Sequence, residues 1–208
     1  MSDTIKQGSE LWFAQRLGKA TASRIADIVA KTKTGYGASR EGYKTELALE
    51  IITGARQESY TNGAMQWGTD TEPRAREAYE AHTGEIVIEV GMIDHPTIDR
   101  SGASPDGLVE PSGQIEIKCP NSATHMATLL SKKPAARYNT QMQWQMACTG
   151  REWCDFVSFD PRFPEHLQLF VVRVPRDNAY IAELEAEVVT FMDEVLTVVE
   201  YLKNMGAV

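Results

Sequence analysis

Apolar positions along the chain change their spacing more than once, and each change predicts an element. Thr21 and Ser23 precede Ile25, Ile28 and Val29, which reads as a helix entered from a cap. Residues 32–39, TKTGYGAS, predict a loop. Helical spacing returns over about residues 41–52, stopped by Gly54, and over about residues 65–82 before Gly84, with a bend or restart near Pro73. Alternation then replaces it. Ile86, Ile88 and Val90 alternate with Val87 and Glu89, and further strand patterns follow at residues 107–109, 114–118, 156–159 and 167–174. Helices are predicted at about residues 123–130 and 135–148. A last helix, about residues 179–202, carries an apolar stripe at Ile181, Leu184, Val188, Phe191, Val195, Val198 and Leu202.

This order predicts an α/β fold: a single domain over residues 1–208 with a central mixed β-sheet flanked by helices. The hairpin near residue 111 is antiparallel, while the helices after it permit a parallel crossover. Repeats, low-complexity tracts and linkers are absent. A composition of 42% hydrophobic and 24% charged residues is that of an ordinary globular chain. No stretch approaches the roughly 18 apolar residues of a membrane span, and the first residues lack the features of a signal peptide. A soluble intracellular protein without a membrane partner is expected. Cys119, Cys148 and Cys154 are odd in number and share no CxxC spacing, which argues for free thiols rather than disulfides or a zinc ribbon.

The net charge of −8 is at first sight wrong for a nucleic-acid partner. Its distribution changes the picture. Residues 177–208 hold seven acids and one base, whereas residues 1–44 hold eight bases and four acids. That leaves room for a local basic groove in an acidic protein, and equally for two solvated helical faces of opposite sign.

Candidate chemistry is concentrated in residues 104–118, SPDGLVEPSGQIEIK. If two strands fold back about residue 111, Asp106 pairs with Glu116, with Cβ atoms about 4.5–5.5 Å apart. Lys118 then points to the same face, and Ile115 and Ile117 point into the core. Two carboxylates so close repel unless a cation lies between them, and oxygen ligation without His or Cys suits magnesium or manganese rather than zinc. Such a metal polarises a phosphodiester and acidifies a bound water, while the Lys118 ammonium can orient that water or offset charge on the phosphorane. The spacing alone reaches a metal-dependent phosphodiesterase. An ordinary hairpin with a solvated Glu-x-Lys face is the alternative.

The same segment resembles the signature of the PD-(D/E)XK nuclease superfamily, and other motifs narrow the resemblance to the lambda exonuclease family of alkaline exonucleases. They are Arg16-Leu17-Gly18 with Thr21-Ala22-Ser23, Trp67-Gly68 with Glu72, Ser104-Pro105-Asp106-Gly107-Leu108, Glu116-Ile117-Lys118-Cys119-Pro120, Tyr138 with Gln141 and Gln143, and Asp160-Pro161-Arg162. They run in order from about Trp12 to Val174. The resemblance implies a restriction-endonuclease-like core. It makes Asp106, Glu116 and the backbone carbonyl of Ile117 the metal ligands, for two Mg2+ ions that Mn2+ can replace. Lys118 would act on the attacking water, Glu72 would complete the acidic cluster, and Gln141 would lie near the scissile bond. Arg16, Ser23 and Ser104 would grip a terminal 5'-phosphate, Met65 would wedge the terminal base pair, and Lys33 would meet the duplex.

The implied activity is processive 5'-to-3' digestion of one strand of linear double-stranded DNA to 5'-mononucleotides, leaving a 3' single-stranded tail. The implied setting is a ring-shaped homotrimer, encoded by a phage or prophage, working in the bacterial cytoplasm beside a single-strand annealing protein. Taken singly, each residue has a plainer role: Arg16 a surface charge, Glu72 a solvated helix residue, Met65 a core filler, Trp67 packing. An endonuclease on the same core and a catalytically silent DNA-binding recombination protein are the two other readings. His82, His95, His125 and His166 lack ligand spacing, and no GxxxxGK[ST] loop occurs, which argues against a histidine site and against ATP-driven motion.

Overall fold

The computed structural model describes residues 5–57 and 63–205. In chain order its elements are α1 (Glu10–Arg16), β1 (Ala20–Thr21), α2 (Ile25–Val29), β2 (Lys31–Thr32), β3 (Gly35–Tyr36), α3 (Ala38–Thr53), α4 (Gly63–Thr83), β4 (Val87–Ile88), β5 (Ile93–Asp94) and β6 (Ser101–Ala103). Then come β7 (Gly107–Val109), β8 (Gly113–Lys118), α5 (Ser122–Ser131), α6 (Ala136–Thr149), β9 (Trp153–Phe159), α7 (Glu165–Gln168), β10 (Leu169–Pro175) and α8 (Asn178–Asn204). The main sheet has the order β10-β9-β8-β7-β4. Strands β8 and β9 are parallel, joined through α5 and α6, and the other neighbours are antiparallel. A three-stranded sheet, β1-β6-β5, lies beside it. The architecture is the mixed α/β arrangement that the pattern predicts.

Period-two alternation on β8 decides what covers each face of the sheet. Ile115 and Ile117 join Val109, Val157 and Phe159 in an apolar layer under Ala75 and Tyr79 of α4. Gln114 and Glu116 point to the opposite face, where α6 lies with Met142, Met146 and Ala147 against Cys154 and Phe156. A larger apolar cluster joins α2, α3, Trp144 of α6 and the α8 stripe from Leu184 to Val199. Each large aliphatic or aromatic side chain buried this way contributes roughly 1.5–3 kcal/mol. Helix α6 is thus fixed on both sides.

Several elements differ from the sequence reading. The loop at residues 32–39 is instead the β2–β3 hairpin followed by the start of α3. That hairpin is held from outside: Lys31 Nζ lies 2.8 Å from Glu187 of α8, the Tyr36 hydroxyl donates to Glu187 at 2.6 Å, and buried Arg40 packs 3.9 Å from the Tyr36 ring. Thr21 makes no side-chain cap, and Ser23 lies inside a 3-10 turn, Ala22–Arg24, ahead of a helix of only five residues. The Thr21 amide donates to the Tyr43 hydroxyl at 3.0 Å, which ties this turn to α3. Pro73 neither ends nor restarts α4, which is anchored on its buried face by Thr71, Ala75 and Tyr79. At residues 86–90 only Val87 and Ile88 pair, on the sheet edge, with Val87 inward and Ile86 and Ile88 in solvent. Leu167 belongs to α7, and β10 begins at Leu169. Helix α1 and strands β1, β5 and β6 had no periodic signal long enough to read.

Candidate active site

The β7–β8 hairpin folds about residues 110–112, with Val109 opposite Gly113 and Gly107 opposite Ile115. Its turn needs Glu110 at φ 49°, a left-handed conformation. Gly113 must lack a side chain, because a Cβ there would stand 2.1 Å from the Trp153 ring. Continued by one residue, this register sets Asp106 opposite Glu116, as the turn spacing predicts. Strand β7 begins only at Gly107, so the edge of β8 beyond Ile115 is open, and Asp106 fills it: its Oδ2 accepts from the Ile117 amide at 2.6 Å. An antiparallel strand residue directs its N–H and C=O to the same side. The Ile117 carbonyl therefore opens on the Asp106 edge.

Glu116 is fully buried, and each hydrogen-bond or ion-pair partner of its carboxylate is a donor. Lys118 Nζ pairs with Oε1, Gln141 donates to Oε1 at 2.6 Å, and Gln145 donates to Oε2 at 2.5 Å. The Lys118 ammonium also lies 5.4 Å from the centre of the Tyr138 ring. Burial, then Glu116 and Glu72, push the Asp106 carboxyl well above its ordinary value, against the pull of Lys118 and the Ile117 amide. Burial raises Glu72 as well, opposed by Arg76 and Lys118, with Glu116 raising it further. For Lys118 burial acts downward, but Glu116 and Asp106 outweigh it and hold the ammonium above its usual range. The carboxyl groups of this pocket, Asp106, Glu116 and Glu72, outnumber the cations beside them, Lys118 and Arg76. Among the described residues no three His, Cys, Asp or Glu side chains converge as a ready ligand set. Asp106, Glu116 and the Ile117 carbonyl could nonetheless offer oxygen donors to a hard divalent cation. Glu72, paired with Arg76 at 2.9 Å, acts on them through its charge. Cys119 is no nucleophile at neutral pH, since burial and then Glu72 and Asp106 push its thiol up to about 12.

Two residues upstream the chain enters a second environment. Ser104 Oγ accepts from Arg16 at 3.2 Å and from the Trp12 indole at 3.0 Å. Arg16 also stacks 4.2 Å from the Trp12 ring, and burial draws its guanidinium below the ordinary value. Arg16, Ser23 and Met65 line one cavity of about 900 Å³, together with Arg24, Arg56 and Phe13. Ser23 and Met65 are exposed there. The structure thus gathers Asp106, Glu116, Lys118, Gln141 and Ile117 at one centre, with Glu72 in its field, and Arg16, Ser104, Ser23 and Met65 around another. Lys33 belongs to neither; it sits exposed at the tip of the β2–β3 hairpin.

Other motif residues act as scaffold. Gln143 bridges α6 to the start of α8, donating to Pro175 O at 2.9 Å and accepting from the Asp177 amide at 2.8 Å. Buried Asp160 accepts from Ser122 at 2.7 Å and from Arg162 Nε at 2.7 Å, and Arg162 reaches the Pro120 carbonyl and covers Trp67. That knot fixes the chain just after Lys118 against α4. Gln145 and Arg56 had not been singled out in the sequence; for Gln145 the signal was its i+4 spacing from Gln141.

Residues 11–152 match the YqaJ-like viral recombinase domain. The chain belongs to that family. The alkaline exonuclease LHK-Exo of Laribacter hongkongensis has a similar structure, 54% identical, with a TM-score of 0.91 over 96% of this chain and 98% of that one. LHK-Exo in complex with dAMP matches at 55% identity with the same score and coverage. A phage-related exonuclease from Haemophilus somnus 129PT, 18% identical, shares the fold at a TM-score of 0.72 over 88% of this chain and 96% of that one. No curated protein matches the chain. These relatives bear out the likeness to the lambda exonuclease family and the PD-(D/E)XK fold, and they place the chain among nucleases. No helix among the described residues is long and apolar enough to cross a membrane.

Proposed function

We propose that the chain, as one nuclease domain, digests one strand of linear double-stranded DNA processively from its 5' end, releasing 5'-mononucleotides and leaving a 3' single-stranded tail for strand annealing. The observation that carries this reading is the stretch Ser104-Pro105-Asp106. Its first residue is hydrogen-bonded to Arg16 at a basic cavity, and its last stands at the acidic centre. A duplex end held by its 5'-phosphate in the cavity would present a nearby phosphodiester to the carboxylates. The complex of LHK-Exo with dAMP, a mononucleotide, supports this product class.

Asp106, Glu116 and the Ile117 carbonyl would hold the divalent cation, Mg2+ with Mn2+ as substitute, and the resemblance implies a pair of ions. When bound, the cation supplies Lewis acidity at the scissile phosphate and lowers the pKa of water. The chain's own residues do the rest. Lys118, kept as an ammonium by Glu116 and Asp106, orients the attacking water and offsets charge on the phosphorane. Gln141 holds the Glu116 carboxylate at Oε1. Arg16 forks onto the terminal phosphate with hydroxyls from Ser23 and Ser104, Met65 wedges the terminal base pair, and Lys33 follows the duplex.

A homotrimeric ring would explain processivity and reconcile the acidic α8 with a basic channel, and a single-strand annealing protein would receive the tail. The setting is the cytoplasm of a bacterial host. The test uses linear duplex labelled at the 5' or 3' end beside a covalently closed circle. The 5' label should leave first as a mononucleotide and the circle should stay intact. Nicking of the circle would favour an endonuclease, and no cleavage in Mg2+ or Mn2+ a silent DNA-binding protein.

A further inference from the structure

We propose that Gln145 is a positioning residue for the Glu116 carboxylate, itself oriented by a one-way chain of donors that begins at Thr149 and passes through Gln114. The proposal rests on the reading of Glu116 as a cation ligand. Gln141, Gln145 and Thr149 recur every four residues on α6, and all three reach β8. Gln114 and Glu116, two apart on β8, share the face that meets them. The Thr149 hydroxyl donates to Gln114 Oε1 at 2.8 Å, Gln114 Nε2 donates to Gln145 Oε1 at 3.4 Å, and Gln145 Nε2 donates to Glu116 Oε2 at 2.5 Å. Gln114, Gln145 and Glu116 are all fully buried.

The direction of this chain is fixed by chemistry. An ionised carboxylate only accepts, so Gln145 must turn its NH2 to Glu116; its oxygen then faces Gln114, which must turn its own NH2 and leave its oxygen for Thr149. Reversing either amide sets oxygen against oxygen among fully buried groups. Glu116 is therefore held at both oxygens from different sides, Oε1 by Lys118 and Gln141 and Oε2 by Gln145. Removing the Oε2 donor leaves the carboxylate held at Oε1 alone. Partners that orient a ligating carboxylate typically control metal affinity by about 10- to 100-fold.

The experiment measures Mn2+ binding by calorimetry without DNA, the metal concentration for half-maximal cleavage, and melting in EDTA. It uses the wild type, Gln145→Leu, Thr149→Val, Thr149→Ser and Glu116→Ala. Gln145→Leu should bind Mn2+ about 10- to 100-fold more weakly, with the half-maximal concentration raised in step. Thr149→Val should weaken binding in the same direction, and Thr149→Ser, which keeps the hydroxyl, should match the wild type. Wild-type affinity in a folded Gln145→Leu protein would overturn the proposal. If Gln145→Leu does not fold, equal affinities for the two Thr149 variants would overturn it, and weaker binding by Thr149→Val alone would support it. Should the wild type and Glu116→Ala bind Mn2+ alike, the reading of Glu116 as a ligand fails first and this inference falls with it.

Discussion

Replacing Arg16 by alanine separates a phosphate receptor from a merely structural arginine. Its guanidinium touches Ser104 at 3.2 Å and stacks on Trp12 at 4.2 Å, and it lines the cavity proposed to receive the phosphate. A hydrogen bond to a charged partner is worth about 1.5–3 kcal/mol, and each 1.4 kcal/mol is about tenfold, so the variant should lose about 10- to 150-fold of preference for 5'-phosphoryl over 5'-hydroxyl ends. Activity on the hydroxyl end should change far less, because that substrate never used the contact. The structural loss is smaller. An arginine stacked on a half-buried aromatic ring contributes roughly 0.5–2 kcal/mol, which for a chain of this length lowers the melting temperature by about 1–8 °C. Arg16→Lys should recover part of the preference, since an ammonium keeps the charge and loses the fork. The assay is initial rates on both ends with a melting curve from the same preparation. An equal fall on both ends, with a large loss of melting temperature, would refute the assignment and return Arg16 to the scaffold.

Three further outcomes follow from the same geometry. Because burial and then Glu116 and Glu72 raise Asp106, the folded chain without cation keeps a proton that the unfolded chain loses near about pH 4. The folded state binds more protons in that window, so its stability falls as pH rises through the raised value, and a cation that displaces the proton restores it. The magnesium-induced rise in melting temperature should thus be larger at alkaline than at mildly acidic pH, and Asp106→Asn should remove the difference; equal rises in both proteins would contradict this. Sedimentation should show a discrete species near three times 23.1 kDa, and a stable monomer that still digests long DNA without release would remove the ring explanation. Asp155→Asn, which weakens contacts with Tyr79 at 2.8 Å and with half-exposed Arg173 at 2.9 Å, should cost roughly 1–3 kcal/mol of stability on a melting curve and leave the metal dependence of cleavage unchanged.

The centre of the site was legible because its geometry is local. One turn fixes the register of the β7–β8 hairpin, and period-two alternation then places Asp106, Glu116 and Lys118 on one face and Ile115 and Ile117 on the other. The long helices were legible from their stripes and from stops such as Gly54 and Gly84, both left-handed in the structure. What escaped depends on contacts distant in sequence. Helix α1 has seven residues, and its Trp12 reaches a partner, Ser104, 92 positions away. The β2–β3 hairpin reads as loop because its support is Glu187 and Arg40 rather than its own pattern. Ile86 and Ile88 misled because an exposed edge strand can carry isoleucines on its outer face. Gln145 was silent because a glutamine on a helix is ordinary until the strand opposite places a carboxylate against it.

Asp106→Ala and Glu116→Ala test the central claim most directly when single-turnover cleavage and duplex-end binding are measured on the same preparations. Removing one oxygen ligand should empty the acidic centre without touching the Arg16 cavity. Cleavage in Mg2+ should then fall below detection in both variants, while binding to a 5'-phosphorylated end in Ca2+ stays near that of the wild type. Near-normal cleavage by either folded variant would contradict the assignment of the catalytic centre.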